Sequence, residues 1–412
     1  MNFLNTSPIR KSTLFLSAVM LSVSAMAMDF NQTQRLANQG VVEAQFNLGV
    51  MYRQGTGVRQ DNTKAIEWFQ KSANQGFAHA QYILGLMYLQ GKGVRQDYSK
   101  GVEWTQKAAS QGYPDAQYTL GLIYYNGEGM RQDYAKAVEW NQKAANQGYA
   151  AAQNNLGAMY NKGDGVRQDY TKAVEWYQKA ANQGYAAAQS NLGTMYDNGK
   201  GVRQDYTKAV EWYQKAANQG ESKSQSRLGA MYDKGNGVHQ DYIKAVEWYQ
   251  KAANQGDIDA QIYLGAMYYK GNGVRQDYAK AIEWYQKAAN QGDTDAQYLL
   301  AGMYYYPSGV HQDYAKAFEW AQKAANQGDA KAQTLLGAMY ANGIGLRQDY
   351  TQARQRYEKA ASQGNADAQY FLGLMYYDGR GVYKNDITAK EWFGQACNAG
   401  LHDGCDKYRK LN

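Results

Sequence analysis

Apolar side chains recur along this chain with a helical spacing that is broken and restarted at regular intervals. Between residues 77 and 112, Ala80, Leu84, Met87 and Tyr88 follow i, i+4, i+7, i+8, the spacing of one helix face. Gly91-Lys92-Gly93 interrupts that face, since glycine adopts the positive φ that closes a tight turn. Asp97 then stands as an N-cap, its carboxylate placed to accept from free amides of the next turn. Val102, Trp104, Ala108 and Ala109 carry a second apolar face, which stops at Gln111-Gly112. The pattern predicts helix A over about 78–90 and helix B over about 97–111. Neither helix buries its apolar face alone, so each must stack on its neighbours.

The same pattern repeats every 36 residues, with a glycine at each boundary from Gly40 to Gly400. Ten repeats follow one another without insertion or deletion. All nine tryptophans, from Trp68 to Trp392, hold one position, and Arg356 fills its single gap. A tyrosine holds another position from Tyr52 to Tyr376. A period in the range of about 20–50 residues is the signature of a solenoid. Two places depart from the pattern. Leu300-Ala301-Gly302-Met303-Tyr304 replaces Leu-Gly-x-Met-Tyr, with Pro307 in place of the first turn glycine. Near the end, Val382-Tyr383-Lys384-Asn385-Asp386 stands where Val-Arg-Gln-Asp-Tyr is usual, which makes this the end expected to fray.

The repeat, quoted from Ala80-Gln81 to Gly112, resembles the Sel-one-like repeat family, relatives of the tetratricopeptide repeats. That resemblance covers 41–400 and implies an all-α fold, a right-handed α/α superhelical solenoid with helix A on its concave side. It also implies an adaptor in protein complexes, with no active site in the repeat itself. Cys397 and Cys405 straddle Gly400, and in an exported protein such a pair is expected to form a disulfide. Their spacing resembles the Helicobacter cysteine-rich protein branch, which implies β-lactam binding as an alternative function.

Composition narrows the picture. The 412 residues include 43 Gly, 38 Tyr and only 3 Pro, with 20% charged. Together with a mean hydropathy of −0.73, this excludes a membrane bundle, while the apolar content excludes a disordered chain. Arg10 and Lys11 precede an apolar stretch from Leu14 to Ala25, closed by Ala25-Met26-Ala27, the signature of a secretory signal cleaved after Ala27. The expected organisation is a signal peptide at 1–27, a cap at 28–40, repeats over 41–400 and a capping segment at 401–412. The mature protein is expected in the periplasm or outside the cell, without a membrane span.

Candidate chemistry is sparse. Pairs such as Gly91/Gly93 and Gly199/Gly201 lack the Lys-Ser/Thr ending of a phosphate loop and read as turns. Asp197-Asn198-Gly199-Lys200-Gly201 lacks the glutamate of a calcium loop. His239 and His311 lie two repeats apart, too far to share a metal, and His79 and His402 have no partner in register. Glu103/Lys107 and their equivalents read as paired surface charges. The formal charge of +7 is spread along the chain, so no nucleic-acid partner is expected. The repeated tryptophans and tyrosines read as core. No catalytic residue, cofactor or metal is expected.

Function should lie where repeats differ. With 80, 81, 84, 85, 87 and 88 fixed, the free face of helix A reads as 82, 86 and 89. Tyr82, Leu86 and Leu89, then Tyr118, Leu122 and Tyr125, form one apolar zone. Tyr269, Tyr298, Tyr305, Tyr370 and Tyr377 form another beyond a polar middle. These are the candidate partner-binding residues, since exposed aromatic clusters mark binding sites for protein or peptide. An immunity-type or host-interaction adaptor fits this reading, and a glycan-binding groove is an alternative.

Overall fold

The computed structural model describes residues 29–306 and 311–411, and among them every regular element is a helix. The signal sequence and Pro307 lie outside the described residues. The chain forms two compact bodies, one through Gln219 and one from Gly220. Each is a solenoid of helix pairs, such as Ala78–Gln90 with Tyr98–Ser110 in the first and Ala330–Asn342 with Tyr350–Ala361 in the second. The helix Phe30–Asn38 precedes the first pair, and His402–Lys410 follows the last.

Local chemistry sets these boundaries. Asp97 Oδ1 accepts from the Lys100 amide at 3.0 Å, and the aspartate in register does so in other repeats. Gly91 closes helix A at φ +67°. The second turn glycine serves packing: a Cβ at Gly129 would stand 2.3 Å from Tyr98 Cβ, at the start of the preceding helix B.

Within each repeat, helix A and helix B interlock through a glycine. The fixed glycine of helix A faces the residue that follows the tryptophan. A Cβ at Gly157, Gly193, Gly229, Gly265, Gly337 or Gly373 would lie 2.5–2.7 Å from the ring of Tyr177, Tyr213, Tyr249, Tyr285, Tyr357 or Phe393. Where the glycine becomes Ala301, the ring position becomes Ala321, and both are fully buried. The departure at 301 is therefore compensated within its own repeat.

A ladder of buried glutamines ties successive pairs. Gln153 Nε2 donates to the Ala145 carbonyl at 3.1 Å, and its Oε1 accepts from Gln183 Nε2 at 2.7 Å. The arrangement recurs at Gln261, with Ala253 and Gln291 as partners. The last repeat has Ala399 where the donor glutamine belongs, and Gln369 Oε1 is buried without a partner. Cys397, at the end of its helix B, is disulfide-bonded to Cys405 of the following helix, with Cα atoms 4.5 Å apart.

The two bodies differ at the residue preceding helix A. In the first it is Phe77, Tyr113, Tyr149 and Tyr185, none of which caps its helix. In the second, Glu221, Asp257, Asp293, Asp329 and Asn365 each accept from the amide three residues on, at 2.5–2.9 Å.

The tryptophans are less buried than their fixed register suggests: Trp140, Trp284 and Trp320 are buried, but Trp68, Trp104, Trp176, Trp212, Trp248 and Trp392 are only partly so. Lysines lie over buried and partly buried rings alike, with Lys71 3.7 Å from the Trp68 centroid and Lys287 3.6 Å from that of Trp284. Some of these lysines also meet the expected glutamate, as Lys107 does with Glu103 at 2.7 Å. The indole supplies an attraction that an exposed ion pair alone does not.

Candidate functional site

Helix geometry fixes which variable positions look outward. Position 82 and its equivalents turn toward the next repeat. The hydroxyls of Tyr82 and Thr119 share a hydrogen bond of 3.2 Å, and Asn191 Nδ2 donates to Asn154 Oδ1 at 2.9 Å. Position 89 turns the same way, as Tyr125 shows by donating to Asp164 Oδ2 at 2.6 Å. Position 83 is buried at Ile83 and Thr119 and exposed at Arg227 and Tyr263, while position 89 is buried at Leu89 and exposed at Tyr269, so which of these positions is open changes along the chain.

Packing within and between repeats decides the fate of the expected anchors. Tyr82, Leu86 and Leu89 are 6%, 3% and 1% exposed, so the apolar zone expected at this repeat is core. Leu89 fills room left by Gly101, where a Cβ would stand 2.6 Å from Leu89 Cγ. The Tyr82 ring lies 5.3 Å from that of Tyr113. Tyr118, Leu122 and Tyr125 are half-buried, Tyr118 packing at a tilt against Tyr149 and Tyr125 edge-to-face against Tyr134. In the second body Tyr269 is exposed beside Tyr278, while Tyr298, Tyr305, Tyr370 and Tyr377 are half-buried. Tyr305 contacts Tyr306 and Tyr314, Tyr370 contacts Phe371 and Phe393, and Lys384 and Lys407 lie over Tyr377.

His79, unpartnered in sequence register, stands between the Phe77 and Tyr113 rings at 5.3 and 4.6 Å. Burial pulls its pKa down, and burial raises that of Asp115, which accepts from the Tyr149 hydroxyl at 3.0 Å. This cluster belongs to the packing of the first body. Among the described residues, no group of His, Cys, Asp and Glu could hold a metal ion, and no helix is long and apolar enough to cross a membrane.

The helix-A face of the second body has a different construction. Position 86 is small in four of its five repeats, with Ala230, Ala266, Gly302 and Ala338, and is Leu374 in the last. One turn before the small residues stand Arg227, Tyr263, Leu299 and Leu335, and one turn after them Asp233, Tyr269, Tyr305 and Ala341, while Phe371 and Tyr377 flank Leu374. Small side chains in line, flanked by larger apolar ones, make a trough across the helices. Tyr263 is 44% exposed and stacks on Tyr249 at 5.2 Å; Phe371 stacks on Tyr357 at the same distance. A Cβ added at Gly302 would meet open space, and the ring beneath its repeat is replaced by Ala321. Position 83 varied as much as the chosen stripe, so Arg227, Tyr263, Leu299, Leu335 and Phe371 were detectable as candidates.

A model of the Sel1 repeat matches ten consecutive segments, from 42–77 to 366–401. The chain belongs to the Sel1-repeat family. It is similar to a protective antigen present in uropathogenic Escherichia coli strains and displaying an SLR fold. That match has 36% identity over 93% of this chain and 90% of the other, with a TM-score of 0.66. A Sel1 repeat protein from Oxalobacter formigenes is also 36% identical, over 75% and 90%, with a TM-score of 0.61. Helicobacter pylori cysteine rich protein B is 30% identical over 32% of this chain and 94% of its own, with a TM-score of 0.26. No curated protein matches the sequence.

One buried polar contact differs between the two bodies of this Sel1-repeat protein. In the first body the Tyr213 hydroxyl donates to Thr194 Oγ1 at 3.1 Å. In the second body Ala230 replaces that threonine, and the fully buried Tyr249 hydroxyl has no partner. Burial drives its pKa upward, with the charges of Asp233 and Arg227 close by. Burial also raises the Asp233 carboxyl, against the pull of Lys270 and Lys234. The Tyr249 hydroxyl is enclosed beneath Tyr263 and does not open onto the surface.

Proposed function

We propose that the chain is an exported, non-enzymatic scaffold that holds a protein or peptide partner on its helix-A face. The observation that carries this is the trough of the second body, where Gly302 opens a space between partly exposed Leu299, Leu335 and Tyr305. Apolar side chains of a bound segment would fill that space and gain the burial that the free protein lacks. The Cys397–Cys405 disulfide supports an oxidising compartment, and the N-terminal signal reading supplies the export route.

Site-specific photo-crosslinking in the cell envelope tests the assignment. A photo-reactive residue at Gly302 is expected to capture the partner, whereas one at the exposed helix-B position Glu319 is not. Capture from 319 with none from 302 would place the binding surface elsewhere.

A further inference from the structure

Seven side-chain polar atoms are buried without a hydrogen-bond partner among the described residues, and three of them fall in one repeat, 221–256. They are Ser222 Oγ, Ser224 Oγ and the Tyr249 hydroxyl, while those of Thr33, Asn141, Arg354 and Gln369 are spread singly along the rest of the chain. The sequence of this repeat accounts for the three. Ser224 is fully buried and stands where the other nine repeats have alanine. Ser222-Lys223-Ser224-Gln225-Ser226-Arg227 begins the helix Ser222–Lys234 without one apolar side chain, whereas every other helix A has at least its alanine there. Tyr249 holds the ring position, where Tyr213 satisfies its hydroxyl on Thr194 and where the buried Phe69 and Phe393 have no hydroxyl to satisfy.

A hydroxyl buried without a partner has given up its hydrogen bonds to water and gained none in return, so opening that restores the water is favoured. The place of this repeat makes the cost conspicuous. It is the sixth of ten, and the division between the two bodies falls immediately before it, at Gly220. In an array of equivalent units held by nearest neighbours, the ends fray first and the middle is held best. Three orphaned hydroxyls in the sixth repeat reverse that order.

We propose that the repeat 221–256 is a built-in opening point, which unfolds locally while the five repeats before it and the four after it stay folded. A uniform array opens from its ends, and this one also opens from within. The helix Ser222–Lys234 and its partner Tyr242–Asn254 open together, because the orphaned groups lie on both. The opening point does not depend on the binding role of the helix-A trough.

Native-state hydrogen exchange of the full chain, followed by mass spectrometry, tests this. Amides of Ser222–Lys234 and Tyr242–Asn254 are expected to exchange at least about tenfold faster than those of the flanking pairs, Ala186–Asn198 with Tyr206–Asn218 and Ile258–Lys270 with Tyr278–Asn290. Ser222→Ala, Ser224→Ala and Tyr249→Phe together remove the three hydroxyls, and each introduces a residue that other repeats carry at that position. The triple variant should slow exchange in this repeat at least about tenfold. Alanine also favours helix, so Tyr249→Phe alone isolates the hydroxyl: the two aromatic residues have similar propensity, and exchange should still slow about threefold or more. Tyr213→Phe, which breaks a bond that is made, should not slow exchange in its own repeat. Circular dichroism checks that each variant is folded. Protection at 221–256 equal to or above that of the flanking repeats would overturn the proposal. So would exchange left unchanged by the triple variant or by Tyr249→Phe, or slowed as much by Tyr213→Phe.

Discussion

Gly337→Ala destabilises the second body by about 1–3 kcal/mol, while Gly302→Ala, in the preceding helix A, leaves it unchanged or stabilises it by up to about 1 kcal/mol. Both replace a mid-helix glycine, and helix propensity favours alanine by about 1 kcal/mol at each. Packing separates them. At Gly337 the new methyl would stand 2.5 Å from Tyr357 Cε1, whereas at Gly302 it meets nothing within 4 Å. The ring is enclosed by its neighbours, so the overlap cannot be relieved by a free chain end and outweighs the propensity gain. Tyr357→Ala itself leaves a cavity and costs about 3–5 kcal/mol, but on that background Gly337→Ala should cost less than it does in the wild-type chain, as the natural Ala301/Ala321 pair suggests. Denaturant unfolding, with hydrogen exchange over residues 330–361, measures this, and the cycle should give a coupling of about 1 kcal/mol or more. Destabilisation of equal size at both glycines would show that the ring does not set the requirement.

Gln153→Leu is the second large effect. It removes the donor to the Ala145 carbonyl and the acceptor of Gln183 Nε2 together. A polar group left buried without a partner costs about 1–3 kcal/mol, more than the added apolar surface of leucine returns at a site already closely packed. Nearest-neighbour coupling confines the loss to the first body and should split its unfolding from that of the second. The reciprocal change is Ala399→Gln, which offers Gln369 Oε1 the donor it lacks and should stabilise the C-terminal repeat by about 0.5–1.5 kcal/mol. Two unchanged denaturation midpoints would mean that water serves these groups equally well.

The period and the helix pairs were legible because each boundary rests on local chemistry. Asp97 caps the next helix, Gly91 turns the chain, and the apolar spacing within 78–90 belongs to a helix and nothing else. The binding face was only half legible. Choosing 82, 86 and 89 as the free stripe required knowing which flank of helix A meets the next repeat, and that depends on how far each pair is rotated in the stack. Tyr82 packs against Thr119 of the next repeat and Leu89 against Gly101 of its own, so each is matched to a partner that itself departs from the repeat pattern. Covariation within a repeat was the missed signal. Ala301 with Ala321 marks the ring-and-glycine contact, and the change from Tyr185 to Glu221 marks the boundary between the bodies.

The central claim is that the trough of the second body is the partner surface, and its most direct measurement is equilibrium binding of the crosslinked partner segment to the wild-type chain and to Gly302→Trp. The indole enters open space and leaves the core untouched, so the melting transition should not fall. Binding should weaken at least about tenfold, or about 1.4 kcal/mol. Equal affinity of the two proteins, with both folded, would contradict the account.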